Sequence, residues 1–443
     1  MLTSYIKKSD DMLSMNVAEL KKIIADQKEE IQEIMEEEKI IERENPDLSH
    51  YLEHPNIVAI IGIRRCGKSI ASHMILEGKR YAHLNFDDER LIDLDKDQLN
   101  YVMEAFYETE GDIEYIIFDE IQNIDGWELF VNRLRRTKKV VITGSNANLL
   151  SSELSTHLTG RYVDFHLYPF SFREYLKYRG VEVPKSHSTK EVSMLKRELE
   201  NYMKKGGFPE SYRFGKHYLI RIYEDVIMKD ALTRYPIRDK KSFRELAKFL
   251  VSNYSNEFSY SKLKGMIDVK NVHTVKDYVD YLESVQIVFI LERFSFSLKK
   301  QIIAPKKSYC IDPGIVDSVA FAFSEDRGRL LENLVAIELQ RRKAYWNEGW
   351  EIYYWKDEKQ NEVDFIVKED EHVKKLIQVS YEIGDTKTKE REIKGLIRGS
   401  DALRCDDLTI LTWDHEEMLE REGKKIESVP VWRWLIEVDE LQG

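Results

Sequence analysis

Residues 62–69 read Gly62-Ile63-Arg64-Arg65-Cys66-Gly67-Lys68-Ser69, a glycine-rich loop that fits the pattern G-x-x-x-x-G-K-[ST]. An apolar run at 56–61 predicts a strand before the loop, and residues 69–76 predict a helix after it. In such a loop, glycines let consecutive backbone N–H groups curve round a phosphate, and the helix N-terminus adds partial positive charge. The sequence therefore predicts a phosphate site here.

The side chains of the loop make this prediction more specific. Lys68 is expected to reach the β- and γ-phosphates of ATP, and the Ser69 hydroxyl is expected to ligate Mg²⁺. The other residues predicted to line the nucleotide at this loop are Gly62, Arg64, Arg65, Cys66, Gly67 and Ile70. ATP and Mg²⁺ are thus the expected substrate and cofactor.

A second apolar run, 115–118, ends in the two carboxylates Asp119 and Glu120. Asp119 is expected to hold Mg²⁺ through water, and Glu120 to polarise the attacking water as general base. A surface Asp-Glu pair is common in proteins, so the pair gains its meaning from the phosphate loop. Together the two segments predict ATP hydrolysis.

The region around these motifs alternates short apolar runs with helical stretches. Further strands are predicted at 81–86, 113–118, 140–143 and 162–167, and a helix from 190 up to the break at 206–209. Continuous apolar runs separated by helices are typical of a parallel sheet covered on both faces.

Length and composition limit the number of domains, the location and the surface charge of the protein. The 443 residues suggest about three domains at roughly 150 residues each. No apolar run is long enough to predict a membrane span or a signal peptide, and the three cysteines exclude a disulfide framework, so a cytoplasmic location is expected. The net charge of −12 argues against a surface coated for nucleic acid, but residues 29–44 hold half of that excess.

Residues 13–44 predict one acidic helix with apolar positions at a 3–4 spacing. Two interpretations stay open, a helix strapped to a neighbouring domain and a self-associating coiled coil. Asn45-Pro46 is expected to end it.

Residues 241–310 predict three helices, at 241–252, 261–266 and 271–285, followed by two strands. This is the order of a winged helix. Its candidate recognition helix carries three acidic residues, which suits an anionic groove poorly. The hairpin holds a predicted basic wing for DNA phosphates, formed by Lys299, Lys300, Lys306 and Lys307. The alternative is a winged helix used for protein packing.

Several segments together resemble a family of archaeal and bacterial AAA-like ATPases of the additional-strand, catalytic-glutamate class. They are GIRRCGKS, IIFDEIQ, ITGSN, LTGRY, YPFSFREYL and GGFPE, and the resemblance covers roughly 55–435. It implies that Ser145 or Asn146 senses the γ-phosphate. It also implies that Arg161 completes the ATP site of a neighbouring copy in a homo-oligomer, and that Pro209, within Gly207-Phe208-Pro209, lines the adenine side and passes nucleotide state to the winged helix.

The segment from 326 onward predicts a third α/β unit that resembles the PD-(D/E)xK nuclease fold. The resemblance places Glu332, Asp364, Gln378 and Ser380 at the positions of that site. Gln378 replaces an acid and Ser380 replaces the lysine, so the set lacks a metal ligand and the cation that steadies phosphate. Cleavage is therefore not expected.

The predicted fold class is α/β, a P-loop parallel sheet with a helical lid, then a winged helix and a restriction-endonuclease-like unit. The predicted domains are 1–52, 53–216, 217–325 and 326–443. Two functions follow. The first is an ATP-hydrolysing switch or motor acting on DNA, and the alternative is a slow-turnover signalling or assembly switch whose C-terminal unit binds protein.

Overall fold

The computed structural model describes residues 15–44, 48–145, 158–183, 188–320, 326–382 and 386–437. Three sheets organise these residues, with five, three and six strands. We call the parts built around them the N-terminal, middle and C-terminal modules. Among the described residues, no helix combines the length and the apolar character that crossing a bilayer requires.

The N-terminal module contains a parallel sheet in the order β2-β3-β4-β1-β5. All residues of β1 are buried, as expected for a central strand covered on both faces. The elements are α1 (Val17–Glu37), β1 (Ile57–Ile61), α2 (Lys68–Ile75), β2 (Tyr81–Asn85), α3 (Leu99–Glu110), β3 (Tyr115–Asp119), α4 (Trp127–Leu134), β4 (Lys139–Gly144) and β5 (Tyr162–His166). All five predicted strands are present. Because the strands are parallel, the phosphate loop after β1 and the acidic pair after β3 meet at one edge.

Helix α1 lies against α3 and β2 and buries Leu20, Ile23, Ile24 and Gln27. The interpretation of this segment as a helix that packs against a neighbouring part of the chain is therefore confirmed for the face that carries these four residues. Its predicted end was wrong, because the helix stops at Glu37 and the chain continues without regular secondary structure to residue 44.

Four lid helices follow the sheet: α5 (Phe172–Arg179), α6 (Thr189–Lys205), α7 (Ser211–Phe214) and α8 (Lys216–Asp225). Phe172 and Tyr175 share an apolar core with Leu331 and Trp434 of the C-terminal module. Helix α8 continues into a turn of π-helix, Val226–Ala231.

The middle module has the predicted three helices, with a short strand and two short helices that the sequence pattern did not predict. Its sheet has the antiparallel order β6-β8-β7. The elements are α9 (Lys240–Ser252), β6 (Asn256–Phe258), α10 (Tyr260–Met266), α11 (Val272–Ser284), β7 (Val288–Glu292), α12 (Leu298–Ile303), β8 (Lys306–Cys310) and α13 (Pro313–Val319).

The C-terminal module is a mixed sheet in the order β13-β14-β12-β11-β10-β9, flanked by helices. The elements are α14 (Arg327–Trp346), β9 (Trp350–Lys356), β10 (Glu362–Glu369), β11 (His372–Ser380), α15 (Thr386–Leu403), β12 (Leu408–Thr412), β13 (Glu417–Arg421), β14 (Lys424–Pro430) and α16 (Val431–Ile436). The α/β class is confirmed, with a P-loop type sheet and a separate mixed sheet.

Candidate functional site

The phosphate loop has the backbone shape that its glycines predict. Gly67 has φ +99° and Arg65 has φ +68°, both in the left-handed region. A Cβ on Gly62 would lie 2.5 Å from the carbonyl oxygen of Leu167, so this position has no room for a side chain. Helix α2 begins at Lys68 without a side-chain cap, which leaves the N–H groups of its first turn available to an anion.

Lys68 is buried beneath this loop. Its Nζ lies 3.3 Å from Oε1 of Glu120 and 3.4 Å from the carbonyl oxygen of Ile63. Burial lowers the pKa of Lys68, but the surrounding acidic groups, Glu120 foremost among them, together outweigh burial and raise it. The loop lysine and the predicted base therefore form one charged pair at the carboxyl edge of the sheet.

Asp119 organises the hydroxyl groups of the site. Its carboxylate accepts hydrogen bonds from Ser69 Oγ and from Thr143 Oγ1. Burial and the negative charge of Glu120 raise the pKa of Asp119. Ser69 and Asp119, the two residues predicted to hold Mg²⁺, are thus in contact. Thr143 was not predicted, although its place at the end of β4, next to the predicted Ser145, could have identified it.

Glu120 has an unusual backbone for a residue with a side chain, with φ +51°. Its N–H donates to Thr143 Oγ1 at 3.1 Å, and its Oε2 accepts from the N–H and the hydroxyl of Ser145 at 3.2 and 3.0 Å. Burial would raise the pKa of Glu120, but the positive charges of Lys68 and Arg234 lower it to about 2. A strained, buried and ionised carboxylate of this kind is typical of functional sites.

A cavity of about 220 Å³ adjoins the loop. Gly67, Ile70 and Pro209, three of the residues predicted to line a nucleotide, line this cavity together with Tyr178. The end of α1 and the irregular chain after it, residues 37–43, form another wall, which the sequence did not predict.

Arg43 fixes that segment to the phosphate loop. It donates to the carbonyl oxygen of Cys66 at 3.0 Å and to Glu174 Oε1 at 2.7 Å. Arg43 belongs to a stretch interpreted as helix, so only the fold brings it to the loop.

The remaining predicted residues fall into three groups. Cys66 is buried, and burial raises the pKa of its thiol. Arg64 is bound by Asp230, and Arg65 is exposed, with its Nη1 3.8 Å from Glu210. Asn146 lies outside the described residues.

Arg161 stands apart from the site in its own chain. It is exposed, its backbone pairs with Ile57 at the start of β1, and its Nη1 lies 3.4 Å from Asn132. This is the edge of the sheet opposite the phosphate loop. Arg161 therefore does not lie at the phosphate loop of its own chain, and its predicted role stays a prediction.

The predicted nucleotide and metal fit these residues. The uncapped start of α2 and the buried ammonium of Lys68 suit phosphate oxygens, and the Ser69 hydroxyl with the Asp119 carboxylate is the oxygen pair that Mg²⁺ prefers.

The predicted basic wing was wrong. Lys306 and Lys307 are buried in β8, and Lys306 pairs with Glu292 of the neighbouring strand. Lys299 and Lys300 are exposed, on α12. The four lysines therefore form no common basic surface, because the strand turns one pair into the protein interior.

Lys307 instead enters the predicted degenerate nuclease site. Its Nζ lies 3.0 Å from Glu332, 3.2 Å from Asp364 and 2.6 Å from Glu362. Burial raises the pKa of Glu332 to about 7, although Lys307 lowers it. A lysine from the middle module therefore supplies the cation that the motif lacks.

The other two residues of that motif make local hydrogen bonds. Gln378 accepts from the N–H of Asp364 at 3.2 Å and donates to Glu392 at 2.7 Å, and Ser380 donates to the carbonyl oxygen of Glu382 at 3.2 Å. Within the described ranges, no cluster of three or more His, Cys, Asp or Glu side chains is arranged to hold a metal ion.

Comparison with known proteins agrees with this architecture. A family model described as an AAA domain matches residues 54–176. Two domains of unknown function, DUF8612 and DUF4143, match 196–326 and 327–433.

Two solved structures show a distant likeness. The Walker-type ATPase PABY2304 of Pyrococcus abyssi has a TM-score of 0.41 at 15% identity, covering 62% of this chain and 93% of its own. The ORC2 protein of Aeropyrum pernix in its ADP form has a TM-score of 0.32 at 12% identity, covering 58% and 90%.

Relatives match along most of the sequence. The uncharacterized protein MJ1544 of Methanocaldococcus jannaschii is 34% identical over 421 residues, covering 91% of this chain and 92% of its own length. An uncharacterized protein of Haemophilus influenzae is 28% identical over 420 residues, covering 90% and 99%. The chain therefore belongs to the family of MJ1544 and carries an AAA domain of the P-loop ATPase class.

Proposed function

We propose that this protein is an ATP-hydrolysing switch whose nucleotide state changes the arrangement of its middle and C-terminal modules. The observation that carries the proposal is the contact of Lys68 with Glu120 at 3.3 Å beside the uncapped start of α2. A cation for phosphate and an ionised carboxylate for water are adjacent there, which hydrolysis of a triphosphate requires.

Each residue of the site has a separate role in the proposed hydrolysis of ATP. The amides of the loop and Lys68 bind and orient the phosphates, and Ser69 and Asp119 would hold Mg²⁺, which neutralises charge on the phosphoryl group. Glu120 accepts a proton from the attacking water, and Ser145 keeps that carboxylate in place through two hydrogen bonds. Pro209 and segment 37–43 would enclose the adenine of the nucleotide.

The contact between Gly207 and Asp312 supports coupling to the middle module. Asp312 accepts from the N–H of Gly207 at 2.6 Å and from the N–H of Ile315 at 2.9 Å, so one carboxylate caps α13 and holds the turn before Pro209. A Cβ on Gly206 would overlap this carboxylate, so the approach needs glycine. A shift of the lid on nucleotide exchange would therefore move α13.

For the client, we propose a protein rather than DNA. Two observations support this choice: Lys306 and Lys307 are buried in ion pairs, and Lys307 fills the carboxylate cluster where a nuclease would bind metal. DNA, predicted from the sequence with a winged helix and a nuclease-like unit, is the alternative.

The test is phosphate release from ATP by the full chain, with and without duplex DNA, at low and at physiological salt. Glu120→Gln should bind ATP yet turn it over roughly 10²- to 10⁴-fold more slowly, because the base is lost and the ligands remain. Equal turnover in the variant and the parent would refute the assignment of Glu120. DNA stimulation that fades with added salt would establish the alternative client.

We also propose a homo-oligomer that shares its ATP sites through Arg161. Arg161→Ala and Glu120→Gln proteins are each expected to turn over slowly, and their mixture should recover activity, because the second variant supplies Arg161 to intact sites of the first. A mixture no faster than its two components would contradict shared sites.

A further inference from the structure

The hairpin between β7 and β8 carries an uncovered helix, α12 (Leu298–Ile303). None of its residues is buried. A helix this short is not stable by itself in water, and here Gln301 fixes it to β7 by donating to Glu292 at 2.9 Å. The large apolar side chains on this helix and just before it face outward: Phe296, Leu298, Ile302 and Ile303 are 81%, 69%, 56% and 73% exposed. We call these four residues, with Lys299 and Lys300, the hairpin patch.

The composition of the hairpin patch indicates the chemistry of its partner. Single exposed apolar residues are normal on a protein surface, but a cluster of large ones is typical of an interaction site. Lys299 and Lys300 are exposed within the cluster and form no ion pair with any residue that the structure describes. Two hairpin patches would bring these lysines against each other, which like charges disfavour. The partner should therefore be apolar and acidic.

Helix α1 presents such a surface near its C-terminal end. Its buried stripe ends at Gln27, the last residue that α1 buries. At helical spacing the stripe continues to Ile31 and Ile34, but Ile34 and its neighbour Met35 are each 37% exposed. The apolar stripe of α1 thus extends beyond the surface on which the helix packs.

The same end of α1 is strongly acidic. Glu30 and Glu33 are exposed on either side of one turn beside Ile34, and within the described part of the chain neither forms an ion pair. The helix ends in Glu36 and Glu37, and its last turn holds no basic residue. Carboxylates at a helix C-terminus lie at the negative end of the helix dipole, and cations placed there are stabilising. This end of α1 therefore matches a basic, apolar partner.

We propose that the C-terminal half of α1 in one copy of the chain docks on the hairpin patch of another copy. Ile34 and Met35 would face the apolar side chains, and the glutamates would face the two lysines. Within one copy the two surfaces are on different modules, because α1 packs on α3 and β2, whereas Phe294, which precedes the hairpin patch, packs with Trp355 of the C-terminal module. Each copy supplies one surface of each kind, so a two-fold dimer forms the contact twice. This contact does not depend on ATP hydrolysis and goes beyond the proposed function.

The experiment exchanges the charges of the two surfaces and measures association of the full chain by sedimentation velocity, without nucleotide, over a wide range of concentration. The hairpin variant, Lys299→Glu/Lys300→Glu, sets acids against acids. The α1 variant, Glu30→Lys/Glu33→Lys, sets bases against bases. The parent should self-associate, and each variant alone should do so roughly 10- to 100-fold more weakly. Mixed in equal amounts, the two variants should associate as the parent does, because every α1 then meets a hairpin patch of opposite charge.

Two controls separate this contact from general effects of charge and exposure. Lys248→Glu/Lys262→Glu makes the same charge change at exposed lysines of the same module and should associate like the parent. Phe296→Ser should weaken association by removing apolar contact, whereas Met418→Ser, at a side chain that is 64% exposed on β13, should not.

A parent that stays monomeric at every concentration, or a mixture that associates no better than its two components, would overturn the inference. Parent association that neither variant changes would also overturn it. Binding of the parent to phosphatidylserine-containing vesicles, lost in the hairpin variant while the mixture fails to associate, would assign the hairpin patch to a membrane surface instead. Phosphate release from ATP tests the proposed function separately, so the two failures are distinguishable.

Discussion

Lys68 and Lys307 are both buried lysines held by carboxylates, but their surroundings differ. Lys68 has one carboxylate at 3.3 Å and lies beside the uncapped first turn of a helix. Lys307 has three carboxylates within 3.2 Å and lies in a central strand of the middle module. The first lysine can exchange its partner for a phosphate, whereas the second is fully satisfied by the protein. The same residue types thus build a candidate ligand site in one place and a bond between modules in the other.

The largest effect is expected when the bond between modules is broken. Lys307→Met should lower the free energy of unfolding by about 3–5 kcal/mol, because it leaves buried carboxylates without their cation. Denaturant titration measures this, and Lys299→Ala, an exposed lysine of the same module, is the control. A loss below about 1 kcal/mol would show that the cluster does not stabilise the fold.

A smaller effect is expected at the exchangeable lysine. Lys68→Ala should weaken ATP binding roughly 10- to 100-fold, because a charge-assisted contact with phosphate is lost. Fluorescent-nucleotide titration gives the affinity, with Lys22→Ala, exposed on α1, as control. Unchanged affinity would remove Lys68 from the site.

The same nucleotide titration, applied to the Lys307 variant, tests whether the two lysines act independently. Lys307→Met should bind ATP as the parent does, because its carboxylate cluster belongs to another module. A large loss of affinity in a folded Lys307→Met protein would mean that the two lysines are not independent.

The smallest effect is a pH dependence. Burial raises the pKa of Glu332 to about 7, above its value in an unfolded chain, so its contribution to stability is lost as pH rises through 7. Between about pH 6.5 and about pH 8 the parent should therefore lose stability more steeply than Glu332→Gln.

This window also avoids the buried histidines, since burial lowers the pKa of His73 to about 3 and that of His83 to about 4, and both act only at lower pH. Parallel melting-temperature profiles of the two proteins would contradict the assignment.

The local parts of the nucleotide site could be predicted from the sequence. The loop at 62–69 and the pair Asp119-Glu120 are contiguous patterns, and apolar runs indicated all five strands of the first sheet. Contacts made by distant segments could not be predicted. Arg43 reaches the loop because the chain leaves the helix at Glu37, where no glycine or proline marks the end.

Lys307 shows the opposite error. Two adjacent lysines after a turn indicated a solvated surface, but β8 is buried along its whole length and its lysines are neutralised by acids from β7, β10 and α14. Charge compensation across modules leaves no local pattern. The same holds for Asp230 and Arg234, whose relation to the phosphate loop depends on a lid of helices folding back over the sheet.

The central claim is that the buried pair of Lys68 and Glu120 marks an ATP site. Calorimetric titration of the parent with ATP and Mg²⁺, repeated with Lys68→Ala, tests it most directly. We expect saturable heat in the parent and a strong loss of affinity in the variant. No heat in the parent under saturating nucleotide would contradict it.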